Sequence, residues 1–332
     1  MNAKQPLPRR AVRRRVAALL AALALAAPVA GAETPEATPR FLADGDAWEL
    51  RPPRDDKLLF QGVVNSDDGT GRSANGMMYP APNLVGFLAS VVVHGLIESG
   101  AQQSQRSSQQ RQADRVLAPY QPVLEGLSAK AVMAEALEAA RVPGTSRLLG
   151  SEAASSGAAT PGTWWIESQP VFSMTQDQTA IVLDHALQVH APGDASAEGT
   201  PVVVRVVSLP QPSSSMPAHW SDHQGENLRR ETVRLLAESL DLALGSAAVA
   251  AAQRGAEPHK TVRYTFGSAE KMERGQVVAE SCERIVIRTL RGWLMSVPRR
   301  GAVPAGCPAP ALPAPAGVEG VPVVPPSVVA GS

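Results

Sequence analysis

Cysteine occurs twice in 332 residues and lysine five times, against 26 arginines. Two cysteines are too few for a disulfide scaffold or for a closed cysteine-based zinc site. Aromatic residues are only 4% of the chain, and no internal repeat stands out. No Gly-x-Gly-x-x-Gly or Walker A pattern is present, so the usual nucleotide-cradling loops lack their glycines. No Gly-x-Ser-x-Gly elbow is present either. Hydrophobic residues at 44% exclude wholesale disorder, and the absence of a glycine triplet period excludes collagen. Only one stretch is continuously apolar enough to imitate a membrane span, and it lies at the extreme N-terminus.

That stretch reads as a secretory signal peptide over residues 1–32. Lys4, Arg9, Arg10, Arg13, Arg14 and Arg15 form its basic region. An apolar run from Val16 to about Ala27 follows, broken by Pro28. Ala30-Gly31-Ala32 supplies the small residues a signal peptidase accepts, so cleavage is expected before Glu33. The competing reading is an uncleaved anchor, for which the run is short. No cysteine near the cleavage point permits lipoprotein processing. The twin arginines are not followed by residues resembling a good twin-arginine signal.

Cleavage changes the electrostatics. The precursor is formally neutral, with 31 basic and 31 acidic residues, but loss of the six leader cations leaves a net charge of −6. Such a surface has no bulk attraction for nucleic acid or anionic lipid. The expected location is the bacterial periplasm, or outside the cell, after Sec-type export. Membrane contact is not expected once the leader is removed.

The mature chain divides by pattern. Residues 33–56 read as an extended lead-in, 57–150 as a hairpin plus helical region and 151–162 as a linker. Residues 163–298 read as an α+β domain, and 299–332 as a disordered Pro-rich tail. Leu58 to Val64 reads as a strand, with Met77–Tyr79 returning as its hairpin partner. Asn83 to Leu117 reads as one long helix, stopped by Pro119. Leu127 to Val142 reads as another, with Ser128 as N-cap and Pro143-Gly144 as its stop. Trp164–Met174, Thr179–His190 and Val202–Leu209 are three strand-like runs with the spacing of an antiparallel meander. An amphipathic helix is expected from about Asp222 to Arg254, with Ser221 and Gln224 as a capping box. Thr261–Phe266, Glu283–Leu290 and Trp293–Val297 read as further strands, while Lys271–Glu280 fits either strand or helix. Residues 299–332 hold eight prolines and one acid, Glu319, and cannot build a core.

Candidate chemistry is sparse. Ser268 and Lys271 fit Ser-x-x-Lys, in which a lysine one helical turn away activates a serine. The downstream Lys-Thr-Gly strand of that chemistry is missing. His219 and His223 are four apart beside Asp222 and Glu226, but Pro217 places His219 ahead of the helix, and the His-Glu-x-x-His pattern is absent. Asp184, His185 and His190 share a strand, on which His185 and His190 face opposite sides. His94 sits among apolar residues and reads as a core histidine. Asp44-Gly45-Asp46 and Asp67-Asp68-Gly69 read as turns rather than calcium loops. Cys282 and Cys307 either form a bridge that pins the tail or remain as a buried and an exposed thiol. The arginines of residues 260–300 are interleaved with Glu270, Glu273, Glu280 and Glu283, which favours internal ion pairs over an anion-binding patch.

No residue emerges as catalytic, cofactor-binding or metal-binding, and no cofactor is expected. The sequence points to a non-catalytic envelope protein acting by binding or assembly. Leu84–Ile97, or an edge of the meander, would be its contact surface. The alternative is an envelope hydrolase for peptide or cell-wall substrates with a dispersed Ser/His or Ser/Lys site.

Overall fold

The computed structural model describes residues 42–53, 55–64, 100–149, 161–193, 199–245, 248, 258–300 and 307. Strand β4 (Trp164–Met174) organises them. Its sequence alternates, so Trp164, Ile166, Phe172 and Met174 point to a buried face while Trp165, Glu167 and Gln169 stay part-exposed on the other. One edge of β4 pairs antiparallel with β5 (Ile181–His190), which pairs antiparallel with β6 (Thr200–Val207). The expected meander is thus present.

Its edges are not free, however, which removes them as a contact surface. The other edge of β4 is occupied in parallel by β1 (Ala47–Arg51) and further along by β2 (Leu59–Gly62). The outer edge of β6 pairs in parallel with β10 (Leu294–Pro298). Beyond β1 lies β3 (Thr145–Leu148), also parallel. Beyond β10 come β9 (Arg284–Thr289), β8 (Ala269–Glu280) and β7 (Lys260–Phe266), each antiparallel to its neighbour. The result is a mixed ten-stranded sheet with a few helices, an α+β architecture. Residues on both sides of 151–162 belong to this one sheet.

Several expectations change. The lead-in is not merely extended: Ala47–Arg51 is an internal strand, because Trp48 and Leu50 bury on the apolar face. Gly144, expected as a helix stop, instead turns the chain into β3. It adopts φ +88°, and a Cβ there would lie 2.3 Å from the Asp46 carbonyl oxygen. Residues 271–280 resolve as strand. The proposed hairpin return at Met77–Tyr79, Leu84–Ile97 and His94 lie outside the described residues, as does the tail apart from Arg299, Arg300 and Cys307.

Helix α1 (Gly100–Ala113) ends before Pro119, in a 3-10 segment, Asp114–Tyr120, that carries the proline. The end is fixed by β2. The Gly62 amide donates to Asp114 Oδ1 at 2.9 Å, and Gln110 Nε2 donates both to the Gly62 carbonyl at 3.0 Å and to Asp114 at 2.7 Å. After α2 (Gln121–Glu125) comes α3 (Ala129–Ala139). Ser128 caps α3 as expected, accepting from the Ala131 amide at 3.2 Å.

Helix α4 (Ala218–Leu244) starts earlier and stops sooner than its periodicity suggests. The capping box does not form, since His223, Gln224 and Gly225 take positive φ and break the helix there. Gly225 packs so closely that a Cβ would meet Val123 Cγ1 at 2.1 Å. After the break, Leu228, Leu235, Leu236 and Leu240 are fully buried while Arg229 and Arg230 remain outside. That face packs on β5, β6 and α3. No described helix is long and apolar enough to cross a membrane.

The sheet buries both faces near its centre. The helix side carries the larger core, including Trp48, Tyr120, Phe172, Trp220 and the α4 leucines. On the reverse side, Val182, Val207, Tyr264, Phe266, Ile287, Met295 and Val297 form a second cluster. That end of the sheet curls, because Tyr264 of β7 bridges Arg299 just past β10. Cys282 and Cys307 are disulfide-bonded, which chooses the bridge over the two free thiols.

The β2–α1 junction is a packing constraint with a direct test. A Cβ on Gly62 would stand 2.0 Å from the Ala113 carbonyl oxygen, a backbone atom that cannot swing aside. Gly62→Ala is therefore expected to cost about 2–3 kcal/mol in urea unfolding. An unchanged unfolding midpoint contradicts this packing.

Candidate functional site

The sequence-nominated pairs separate when their elements fold. Ser268 and Lys271 do not sit one helical turn apart, because Ala269–Glu280 is a strand. The Ser268 amide donates to Asp177 Oδ2 at 2.6 Å, and the Lys271 ammonium lies 3.9 Å from the centre of the Phe266 ring. Asp177 also accepts from Thr175 Oγ1 at 2.5 Å and from the Thr179 amide and hydroxyl. Burial works to raise its pKa, but these bonds outweigh it and hold the carboxyl well below the usual range. Ser268 is thus part of a turn-to-turn clasp.

His219 lies inside the first turn of α4, edge-on to Trp220, and His223 sits in the left-handed break. The two therefore do not share a helical face. Among the described residues, no three His, Cys, Asp or Glu side chains are grouped to hold a metal. Asp44 and Asp46 form a turn closed by the Asp46 amide on the Ala43 carbonyl and the Ala43 amide on Asp46 Oδ2. Asp67–Gly69 lies outside the described residues. The arginines of the C-terminal strands are largely consumed internally. Arg263 pairs with Glu270 at 2.8 Å, Arg299 with Glu280, and Arg284 with Glu238 at 2.6 Å.

Strand β5 does separate its polar residues as alternation demands. Asp184 faces the reverse side and holds Arg205 in a two-pronged pair at 2.5 and 2.8 Å. His185 faces the helices. Its Nε2 lies 2.7 Å from Ser168 Oγ on β4, and its Nδ1 lies 2.7 Å from Ser239 Oγ on α4. Ser239 spends its own hydrogen on the Leu236 carbonyl at 2.7 Å, so it must accept from Nδ1–H. His185 Nε2 is then the acceptor for the Ser168 hydroxyl.

This is the proton arrangement of a serine–histidine base pair, with serine in place of the usual carboxylate. Sequence reasoning missed it, because Ser168 and Ser239 lie 17 and 54 residues from His185. All three groups are at most 1% exposed. Burial also drives the His185 pKa down to about 3, which keeps the ring neutral. The trio is therefore a polar staple joining β4, β5 and α4, its hydrogen bonds made within the protein.

The reverse face of β1, β4 and β5 is different. Two rows of side chains run across it, set by the strand register. In one row, Arg147, Glu49, Trp165 and His190 lie opposite one another in turn. Arg147 pairs with Glu49, and the His190 ring stacks flat on Trp165 with centroids 3.3 Å apart. In the next row lie Arg51, Glu167 and Gln188. The Arg51 guanidinium sits 4.1 Å over the Trp165 ring. Arg51 and Gln188 are only 5% and 3% exposed. Even so, Arg51 Nε and Nη2 and both ends of the Gln188 amide lack a hydrogen-bond partner. Native interiors seldom leave such groups unmet, since each costs about 1–3 kcal/mol.

The staple has a pH signature. Unfolded, His185 titrates near pH 6.5, whereas folded it resists protonation until about pH 3. Its contribution is present in full above the unfolded value and is lost as pH falls through that window. The wild type should lose about 2 kcal/mol between roughly pH 7.5 and pH 5, and His185→Gln should flatten that loss. His219, also lowered by burial, contributes in the same direction in both proteins. Urea midpoints at the two pH values read the difference, and equal pH slopes contradict the assignment.

Compared with protein-family models, with curated proteins and with solved structures, the chain has no match.

Proposed function

We propose that this chain is an exported, non-catalytic envelope protein that works by binding or assembly. The observation that carries this reading is the pair Arg51 and Gln188, buried on the reverse face of the sheet with their hydrogen-bonding groups unmet. A side chain that has lost water without gaining a protein partner is readily explained when something else supplies the bonds. Residues 1–32 support export through their basic region and apolar run. The Cys282–Cys307 bond supports it independently, because disulfides persist in oxidising compartments. Leu84–Ile97 remains a proposed surface for an envelope partner or for self-association. The fold expected around this function is the meander with its packed amphipathic helix and a Pro-rich tail.

A second reading has its own support. The Ser168–His185 hydrogen bond at 2.7 Å is what an envelope hydrolase with a dispersed Ser/His site requires. The closed hydrogen-bond set that ties the pair to Ser239 and the low histidine pKa weigh against it.

Cell fractionation with intact-mass measurement tests the first reading. The expected product starts at Glu33, resides outside the cytoplasm and carries no alkylatable thiol. A cytosolic product beginning at Met1 contradicts it. Labelling of Ser168 by a fluorophosphonate, abolished by Ser168→Ala, would favour the hydrolase instead.

A further inference from the structure

Resting on the binding reading, we infer that the row Arg51–Glu167–Gln188 takes the carboxylate end of a peptide. Arg51 is the anchor. Its two unpartnered atoms, Nε and Nη2, lie along one edge of the guanidinium. That edge is the fork Arg205 uses elsewhere in this protein to grip both oxygens of Asp184. A planar carboxylate fits such a fork with two parallel hydrogen bonds. The guanidinium is held in place over Trp165, which is backed by His190, and Gly199 closes on the His190 ring. The fork is preorganised, which reduces the entropy lost on binding.

Gln188 selects what accompanies the carboxylate. Its amide offers a donor and an acceptor, both unmet, two strands away from Arg51 in the same row. A peptide group presents the complementary acceptor and donor. Glu167, between them, has no ion pair among the described residues and adds a negative charge to the floor. That charge disfavours a phosphate, which brings more negative charge than a carboxylate. Trp165, Glu167 and Gln169, on the same face of β4, are part-exposed, so this face meets solvent beside the buried fork. Monoanionic charge, a planar terminal group and an adjacent amide together define a peptide C-terminus.

The test uses the purified, oxidised protein and N-acetyl-dialanine as probe, followed by NMR titration and calorimetry. Saturable binding is expected, weakened at least about tenfold by Arg51→Met and several-fold by Gln188→Leu. The amide-capped probe, N-acetyl-dialaninamide, should lose a similar factor to Arg51→Met, and inorganic phosphate should not compete. Circular dichroism checks that both variants fold. Should Arg51→Met fail to fold, Gln188→Leu and the capped probe decide the matter. The assignment is overturned by the absence of binding, by equal binding of the capped probe, by competition from phosphate, or by folded variants that bind like the wild type. An exported protein that ignores the dipeptide removes this ligand assignment alone. Cytosolic retention with Met1 intact removes the binding reading beneath it.

Discussion

Strand β4 is hydrogen-bonded along both edges, and its two faces demand different surroundings. Its even-numbered residues are apolar apart from Ser168 and must be covered, so the helices gather on that side. Its odd-numbered residues include Glu167 and Gln169, whose polar groups an apolar core would leave unmet, so that part of the face remains polar. Because β1 and β2 share one edge and β5 takes the other, segments distant in sequence are brought into register. The staple and the unmet row both follow from this strand, one on each face.

The two sites show opposite ways of handling buried polarity. Ser168, His185 and Ser239 satisfy one another completely, so the histidine stays neutral and ties sheet to helix without an unpaired charge. Arg51 and Gln188 are as deeply buried but are not satisfied by the described chain. A network with every bond made rigidifies a core, whereas a preorganised group with bonds still to make is suited to recognition. Satisfied against unmet hydrogen bonds therefore separate the structural histidine from the candidate binding row, although a serine beside a histidine looks the more catalytic.

Much of the central sheet was legible in the sequence. Strands β4, β5, β6 and β7 alternate or run apolar for long enough to declare themselves, and Ser128 is a good N-cap. Strand β1 was not legible, since Glu49 and Arg51 read as surface residues and yet are buried. Strand β3, Thr-Ser-Arg-Leu, has no apolar pattern and exists only because β1 offers it an edge. The break in α4 was hidden because non-glycine residues seldom take positive φ, and His223 and Gln224 do so in succession. Neither candidate site was readable from spacing. Arg51, Glu167 and Gln188 meet only through strand register, and Ser168 meets Ser239 only through packing of α4 on the sheet. These are long-range choices that local propensity does not encode.

Peptide binding depends on an Arg51 side edge that is free for an anion. The side-chain Nε–H resonance of Arg51, observed by 15N-edited NMR and assigned with Arg51→Met, reports this directly. A free-state signal without a hydrogen-bonded shift is expected, moving downfield as a peptide carboxylate is added. A resonance already hydrogen-bonded in the free protein, and indifferent to the carboxylate, would contradict peptide binding at this edge.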